Sequence, residues 1–104
     1  MGMTHDEFLN LLNEEFERIK ELFENKNKDY ARKDEVFNNF NTLAKLIGQK
    51  RETVWLIYFM KHVLSIANWV REGAMYTERP EDRLRDIIVY ALLLIGMIKE
   101  KEKK

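Results

Sequence analysis

The spacing of apolar residues is the feature that most constrains this chain. Large apolar side chains recur every three or four residues near the start, at Phe8, Leu12, Phe16, Ile19 and Phe23. That spacing places them on one face of an α-helix. No stretch alternates polar and apolar residues as a half-buried strand does, and 4 Gly and 1 Pro leave few turn signals. The sequence therefore predicts an all-α fold.

Four helices, three long and one short, are expected in a single domain that covers residues 1–104. Their ranges are 5–25, 34–47, 52–72 and 79–99, and a charged tail at 100–104 is expected to fray. Asp34 is the expected cap of the short second helix. Helices of these lengths favour a four-helix bundle or a variant of it.

Capping and turn residues mark the expected helix ends. Thr4 followed three residues later by Glu7 forms a capping box, in which each side chain accepts a backbone N–H of the other residue. Gly48 and Gly73 are the expected stops of the second and third helices. Pro80 suits the first turn of the fourth helix.

Charge and composition argue against several classes of partner. Lys+Arg and Asp+Glu both number 18, so the net charge of zero does not favour binding to nucleic acid or to anionic membranes. The absence of cysteine excludes disulfides, thiolate zinc sites and a cysteine nucleophile.

The longest apolar stretch, 87–98, is too short to cross a bilayer, and the acidic N-terminus does not resemble a signal peptide. We therefore expect a cytoplasmic protein.

The third helix and the stretch 87–98 are too apolar to face water in a monomer of this size. Each large side chain left exposed forgoes about 1.5–3 kcal/mol of burial free energy. We therefore expect a homo-oligomer whose contact surface uses the third and fourth helices.

An acidic stripe runs along the first helix. Its members are spaced three, four and three residues apart: Glu14, Glu17, Glu21 and Glu24. Paired carboxylates of this kind can hold Mg²⁺ with help from another segment. The alternative is a solvated face with Arg18 and Lys20 or Lys28 as partners at helical spacing.

A polar strip interrupts the apolar third helix. It comprises Tyr58, Lys61, Ser65 and Asn68, with His62 beside it. Lys61 can serve as a point charge for phosphate or carboxylate, with Ser65 and Asn68 as hydrogen-bond partners. The alternative is a solvent-facing strip that pairs with an acid of the fourth helix, in which His62 has a structural role.

Charged residues also gather at the start of the fourth helix. Asp82, Asp86 and Tyr90 are four residues apart, and Arg83 lies on the flank of that face. Arg83 can bind phosphate bidentately, and a carboxylate there can bind metal or a ribose hydroxyl. Alternatively Asp82 stabilises the helix N-terminus, and Asp86 pairs in the interior, most simply with Lys61.

Two residues near the second helix could recognise a base. Tyr30 can stack on it and Asn39 can hydrogen-bond to it. In the alternative, Tyr30 packs over the end of the bundle and Asn39 caps a helix.

Several of these segments together resemble a known family. They are Lys28-Asp29-Tyr30, Asn39-Phe40, Tyr58 to Ile66 with Lys61-His62, Glu78, Arg83, Asp86-Ile87-Ile88 and Tyr90-Ala91-Leu92-Leu93. The chain from 28 to 98 resembles small helical proteins common in phages and prophages, related to the nucleotide-modification-associated domain of unknown function. That domain in turn resembles the all-α, MazG-like nucleoside triphosphate pyrophosphohydrolases.

The resemblance implies an oligomeric four-helix fold and a nucleotide-type ligand. In the pyrophosphohydrolases a Glu-x-x-Glu pair and a later Glu-x-x-Asp pair hold Mg²⁺. Glu14 and Glu17, or Glu21 and Glu24, could match the first pair. The second pair has no match, because Asp82 and Asp86 are four residues apart, and Lys61-His62 stands where the domain relatives have Asp-Lys. These departures favour anion binding without turnover.

The leading hypothesis is a small nucleotide-binding protein of phage type that sequesters a nucleotide or a nucleotide-derived immune signal without a cofactor. Its expected ligand-binding residues are Tyr30, Asn39, Lys61, His62, Ser65, Asn68, Arg83, Asp86 and Tyr90. One alternative is a Mg²⁺-dependent pyrophosphohydrolase with Glu17, Glu21 and Asp82 as metal ligands. The other is a helical interaction module without a small ligand.

Overall fold

Four α-helices make up the fold. The computed structural model describes residues 2–30 and 36–103, with the side chains of 26–30 outside the description. The helices are α1 (His5–Tyr30), α2 (Asn38–Ile47), α3 (Arg51–Glu72) and α4 (Pro80–Glu102). The described ranges contain no strand. The predicted all-α fold with three long helices and one short helix is confirmed.

Local signals define several helix ends as the sequence predicts. The Thr4 backbone N–H donates to Glu7 Oε1, and the Glu7 backbone N–H donates to Thr4 Oγ1, each at 3.1 Å. Gly48 and Gly73 follow α2 and α3 with φ of 64° and 78°, in the left-handed region that favours glycine. Pro80 is the first residue of α4.

Two helices extend past their expected ends. α1 continues to Tyr30 because residues 26–30 contain no Gly or Pro, and Asn, Lys and Asp are only mildly unfavourable inside a helix. α4 continues to Glu102. The second helix was expected over 34–47, but residues 36 and 37 form a turn and α2 begins only at Asn38. The expected cap, Asp34, lies outside the described residues.

Ion pairs to the start of α3 hold the last turns of α4. Arg51 Nη1 lies 2.8 Å from Glu100 Oε1, and Lys101 Nζ lies 2.6 Å from Glu52 Oε2. The two helices therefore run antiparallel, with the C-terminal end of α4 beside the N-terminal end of α3.

The core lies between α2, α3 and α4. Its buried residues are Phe40, Ala44, Val54, Trp55 and Met97. Trp55 Nε1 donates a hydrogen bond of 2.7 Å to the Tyr90 backbone carbonyl and joins α3 to α4. α2 therefore covers one side of the α3–α4 pair.

α1 is attached to the outside of α4. Arg85 on α4 donates two hydrogen bonds to Glu15, at 2.6 and 2.9 Å, and Ile19 is buried. Phe8 and Phe16, which belong to the predicted apolar face, remain more than half exposed. Within the described ranges, no helix is both long enough and apolar enough to cross a membrane.

Candidate functional site

A half-buried group of polar side chains joins the middle of α3 to the first turns of α4. Arg83 Nη1 lies 2.7 Å from His62 Nδ1, Arg83 Nη2 pairs with Glu78, and the His62 and Tyr90 rings lie 4.9 Å apart between centroids. We call His62, Glu78, Arg83 and Tyr90 the polar cluster. A guanidinium has only donors, so Nδ1 of His62 is the acceptor in this contact.

Helix geometry explains why these residues meet. Arg83 and Tyr90 are seven residues apart on α4, which places them on one face, two turns from each other. Asp86 lies between them on the same face and is also half-buried. Since α3 runs antiparallel to α4, His62 in the middle of α3 comes opposite this face.

The surroundings of Tyr90 raise the pKa of its phenol. Burial raises the pKa of the Tyr90 phenol above its usual value, and the neighbouring Tyr58 and Asp86 raise this pKa further. A tyrosine is protonated at neutral pH with or without this shift, so its hydroxyl can donate a hydrogen bond there.

Arg83 keeps donor capacity beyond its pair with Glu78. Its Nε atom is buried and has no hydrogen-bond partner within the described ranges. Buried polar atoms are normally hydrogen-bonded, so this orientation of the guanidinium leaves one donor unsatisfied. The side chain as a whole is about a quarter exposed (24%).

Lys61 is exposed beside the cluster. Its ammonium lies 5.7 Å from the centroid of the Tyr58 ring. Among residues 2–30 and 36–103 it forms no ion pair, so the expected pairing of Lys61 with Asp86 is not formed within this chain. Lys61 is one residue from His62 and therefore points about 100° away around the helix.

The remaining predicted ligand-binding residues lie apart from the cluster contacts. Ser65 is half-buried on α3, and Asn39 is exposed on α2. Asn68 accepts a hydrogen bond from Arg71, one turn along the same helix. The side chain of Tyr30 lies outside the described residues. The structure thus brings His62, Arg83 and Tyr90 together and gives Asn39 and Asn68 no hydrogen bond to them within the described part.

The predicted metal ligands do not assemble. Glu17 is exposed and lies 3.5 Å from Lys20, while Asp82 lies 2.7 Å from Arg85. No group of three or more His, Asp or Glu residues within the described ranges could hold a metal ion. All four members of the acidic stripe are exposed on α1. These residues therefore fit a solvated face better than a Mg²⁺ site.

Two residues of this region were not among the expected ligand-binding residues, although Tyr58 was placed in the polar strip and Glu78 among the segments that carry the family resemblance. Glu78 precedes α4, and no helical spacing connects it to Arg83. Tyr58 lies four residues before His62 on α3, and its ring packs edge-on against Phe40 at 6.3 Å. The helical spacing of Tyr58 and His62 was a usable signal, whereas the position of Glu78 depends on the turn between α3 and α4.

Comparison of the chain with models of known families, with curated proteins and with solved structures finds no match. The family resemblance of the motifs therefore remains an expectation. The function has to be inferred from the residues of the polar cluster and from their surroundings.

Proposed function

We propose that the chain binds a small anion of nucleotide type at the polar cluster and does not convert it chemically. The observation that carries this proposal is the contact of a guanidinium, an imidazole and a phenol at one half-exposed position between α3 and α4. Arg83 supplies charge, and His62 and Tyr90 supply aromatic faces. This combination suits a ligand with a phosphate and a base.

Each side chain has a role that follows from its chemistry. Lys61 and Arg83 attract the phosphate, Lys61 as a compact charge and Arg83 through paired N–H donors. A phosphate oxygen competes with Glu78 for Arg83, so ligand binding weakens or rearranges that ion pair. Asp86 and Ser65 are suited to ribose hydroxyls, and the Tyr90 ring is suited to stacking.

Binding without turnover is preferred to hydrolysis because of the acidic residues. Glu17 and Asp82 each lie against a cation, and no acidic cluster forms within the described part of the chain. Hydrolysis of a nucleoside triphosphate requires a group that stabilises charge on the phosphates and positions water, which Mg²⁺ ordinarily does. The Mg²⁺-dependent pyrophosphohydrolase is kept as an outcome of the experiment below.

We place this binding protein in the cytoplasm, as a sequestering agent for a nucleotide-derived signal. The phage-type resemblance of the motifs supports this role. We also propose that the working form is a homo-oligomer, since many large apolar side chains of α3 and α4 are exposed in the single chain.

Thermal melting with a ligand panel tests the proposal. The panel contains mononucleotides, cyclic dinucleotides and ADP-ribose-type compounds, each with Mg²⁺ or with EDTA, and each mixture is chromatographed afterwards. A ligand at 100 times its Kd adds about 2.7 kcal/mol to the free energy of unfolding, which gives a measurable increase in Tm. We expect an increase that does not depend on Mg²⁺, with the compound recovered intact.

Other outcomes identify the alternatives. Release of pyrophosphate only with Mg²⁺ would support the pyrophosphohydrolase. Unchanged melting with every compound would contradict nucleotide binding and leave the helical interaction module, whose polar cluster has a purely structural role.

A further inference from the structure

We infer that the outer face of α4 is the contact surface of a two-fold homodimer, in which α4 of one chain packs antiparallel on α4 of the other around Ala91. The inference deepens the proposed self-association, on which it rests. It does not depend on the nucleotide. The occupant of the face is a second copy of this chain.

A continuous apolar stripe follows the outer face of α4. Its members are Leu84, Ile88, Ala91, Ile95 and Ile98. The four large side chains are between 43% and 51% exposed. The stripe is about 21 Å long at 1.5 Å per residue. It lies away from Met97 and Tyr90, which face α3, and away from Arg85, which faces α1.

α3 extends this apolar surface. Leu56, Met60 and Leu64 are spaced four residues apart on α3 and are each more than 40% exposed. The two antiparallel helices thus present one broad face on the side not covered by α2. A second pair of helices against it would complete a four-helix bundle.

The chain exposes more surface than a compact monomer of its mass. Its accessible surface is 8421 Å², whereas a folded monomer of 12.6 kDa is expected to have about 6,200 Å². The excess of about 2,200 Å² belongs to the whole chain, exposed side chains of α1 included, and it is large enough to contain a dimer interface of standard size, about 800 Å² per chain.

The stripe is nearly symmetric about Ala91, and this favours a second copy over an unrelated partner. Leu84 and Ile98 are each seven residues from Ala91, and Ile88 and Ile95 are three and four residues from it. In an antiparallel pair each large side chain of one helix therefore meets an equivalent one of the other. A small residue at the centre allows two helix backbones to approach closely, as a two-fold axis at this point requires.

Cysteine cross-linking tests the axis, because the native chain contains no cysteine. Ala91→Cys is oxidised at low micromolar concentration and analysed by non-reducing electrophoresis. Disulfides need Cα atoms within about 7 Å, which for a single cysteine is met only near the two-fold axis. We expect most of Ala91→Cys to form a covalent dimer. Lys45→Cys, an exposed position on α2, is the matched control and should stay monomeric on the gel.

Light scattering of the unmodified chain separates the possible failures. A dimeric mass with the Ala91→Cys cross-link supports the inference. An oligomeric mass without the cross-link would overturn this interface and leave self-association standing. A monomeric mass at 50 to about 100 micromolar, far above the Kd of an obligate dimer, would overturn both. Neither failure affects the nucleotide proposal, because ligand-induced melting shifts are a separate measurement.

Charged substitutions on the stripe provide a second test. Ile88→Glu and Ile95→Glu lie at exposed positions, so each variant keeps the helical circular dichroism spectrum of a folded chain. We expect the double variant to have half the mass of the parent in light scattering. An unchanged dimeric mass would contradict the proposed interface.

Discussion

His62 and Arg83 lie 2.7 Å apart, between Nδ1 and Nη1, and connect the middle of α3 to the second turn of α4. Because a guanidinium can only donate, the neutral imidazole carries its proton on Nε2. The contact therefore fixes the tautomer and the orientation of the ring that faces Tyr90. This contact brings the α3 and α4 members of the polar cluster together.

Loss of the His62 acceptor should destabilise the fold. His62→Ala leaves an N–H of the half-buried Arg83 without its partner, and we expect the free energy of unfolding to fall by about 1–2 kcal/mol. His62→Asn places an amide oxygen near the Nδ1 position and should retain most of that stability. Urea unfolding of the three proteins measures the difference, and equal midpoints for His62→Ala and the parent would contradict this role.

The indole hydrogen bond of Trp55 contributes separately from its packing. Trp55→Phe keeps an aromatic ring against Phe59, whose centroid is 4.7 Å away, but removes the 2.7 Å bond to the Tyr90 carbonyl. We expect a loss of about 1–2 kcal/mol for Trp55→Phe, and about 3–5 kcal/mol for Trp55→Ala. Trp69→Phe is the control, since the Trp69 ring makes no hydrogen bond within the described ranges. Similar melting temperatures for Trp55→Phe and Trp69→Phe would show that the indole hydrogen bond of Trp55 does not stabilise the fold.

Acid should weaken the attachment of α1. The hydrogen bonds from Arg85 hold the pKa of the Glu15 carboxyl below its usual value, which is near 4.3. A lowered pKa in the folded state means that the ionised carboxylate stabilises the fold. This contribution is fully present above the ordinary pKa and is lost as the pH falls through the lowered one.

Glu15→Gln isolates that contribution. At neutral pH we expect it to reduce stability by up to about 1 kcal/mol, because the pair is partly exposed. At a pH below both pKa values the variant and the parent should have equal stability. Glu14→Gln is the control, an exposed neighbour on α1 whose stability should match the parent at both pH values. A difference between Glu15→Gln and the parent that persists unchanged in acid would rule out the ion pair as its cause.

Local signals made the helices predictable from the sequence. The capping box of Thr4 and Glu7 and the glycines at 48 and 73 act within a few residues of the chain, and the helices begin or end there as expected. α4 begins at Pro80, one residue after its expected start at 79. The extra turn of α4 forms ion pairs with the start of α3, and helical spacing alone does not reveal these contacts.

The candidate site was predictable only in part, because its contacts join distant segments. His62, Arg83 and Tyr90 stood out as polar residues on apolar helices, and the structure brings them together. The partners of two arginines were not foreseen: Glu78 for Arg83, and Glu15 for Arg85. The expected partner of Asp86, Lys61, lies instead on an exposed flank of α3, because helix rotation could not be derived before the packing was known.

The central claim is that the chain binds a nucleotide whose phosphate is attracted by Lys61 and Arg83. The Kd of a Lys61→Ala variant for a nucleotide tests this claim most directly. Lys61 is exposed and forms no ion pair among the described residues, so its removal leaves the fold intact and changes only the charge offered to the ligand. The titrant is the panel compound that raises Tm most, and Kd is measured by calorimetry for the parent, Lys61→Ala and the α1 control Lys20→Ala. The account predicts at least a tenfold weaker Kd for Lys61→Ala, about 1.4 kcal/mol, and an unchanged Kd for Lys20→Ala. Equal affinity in all three proteins, or no binding by the parent, would contradict it.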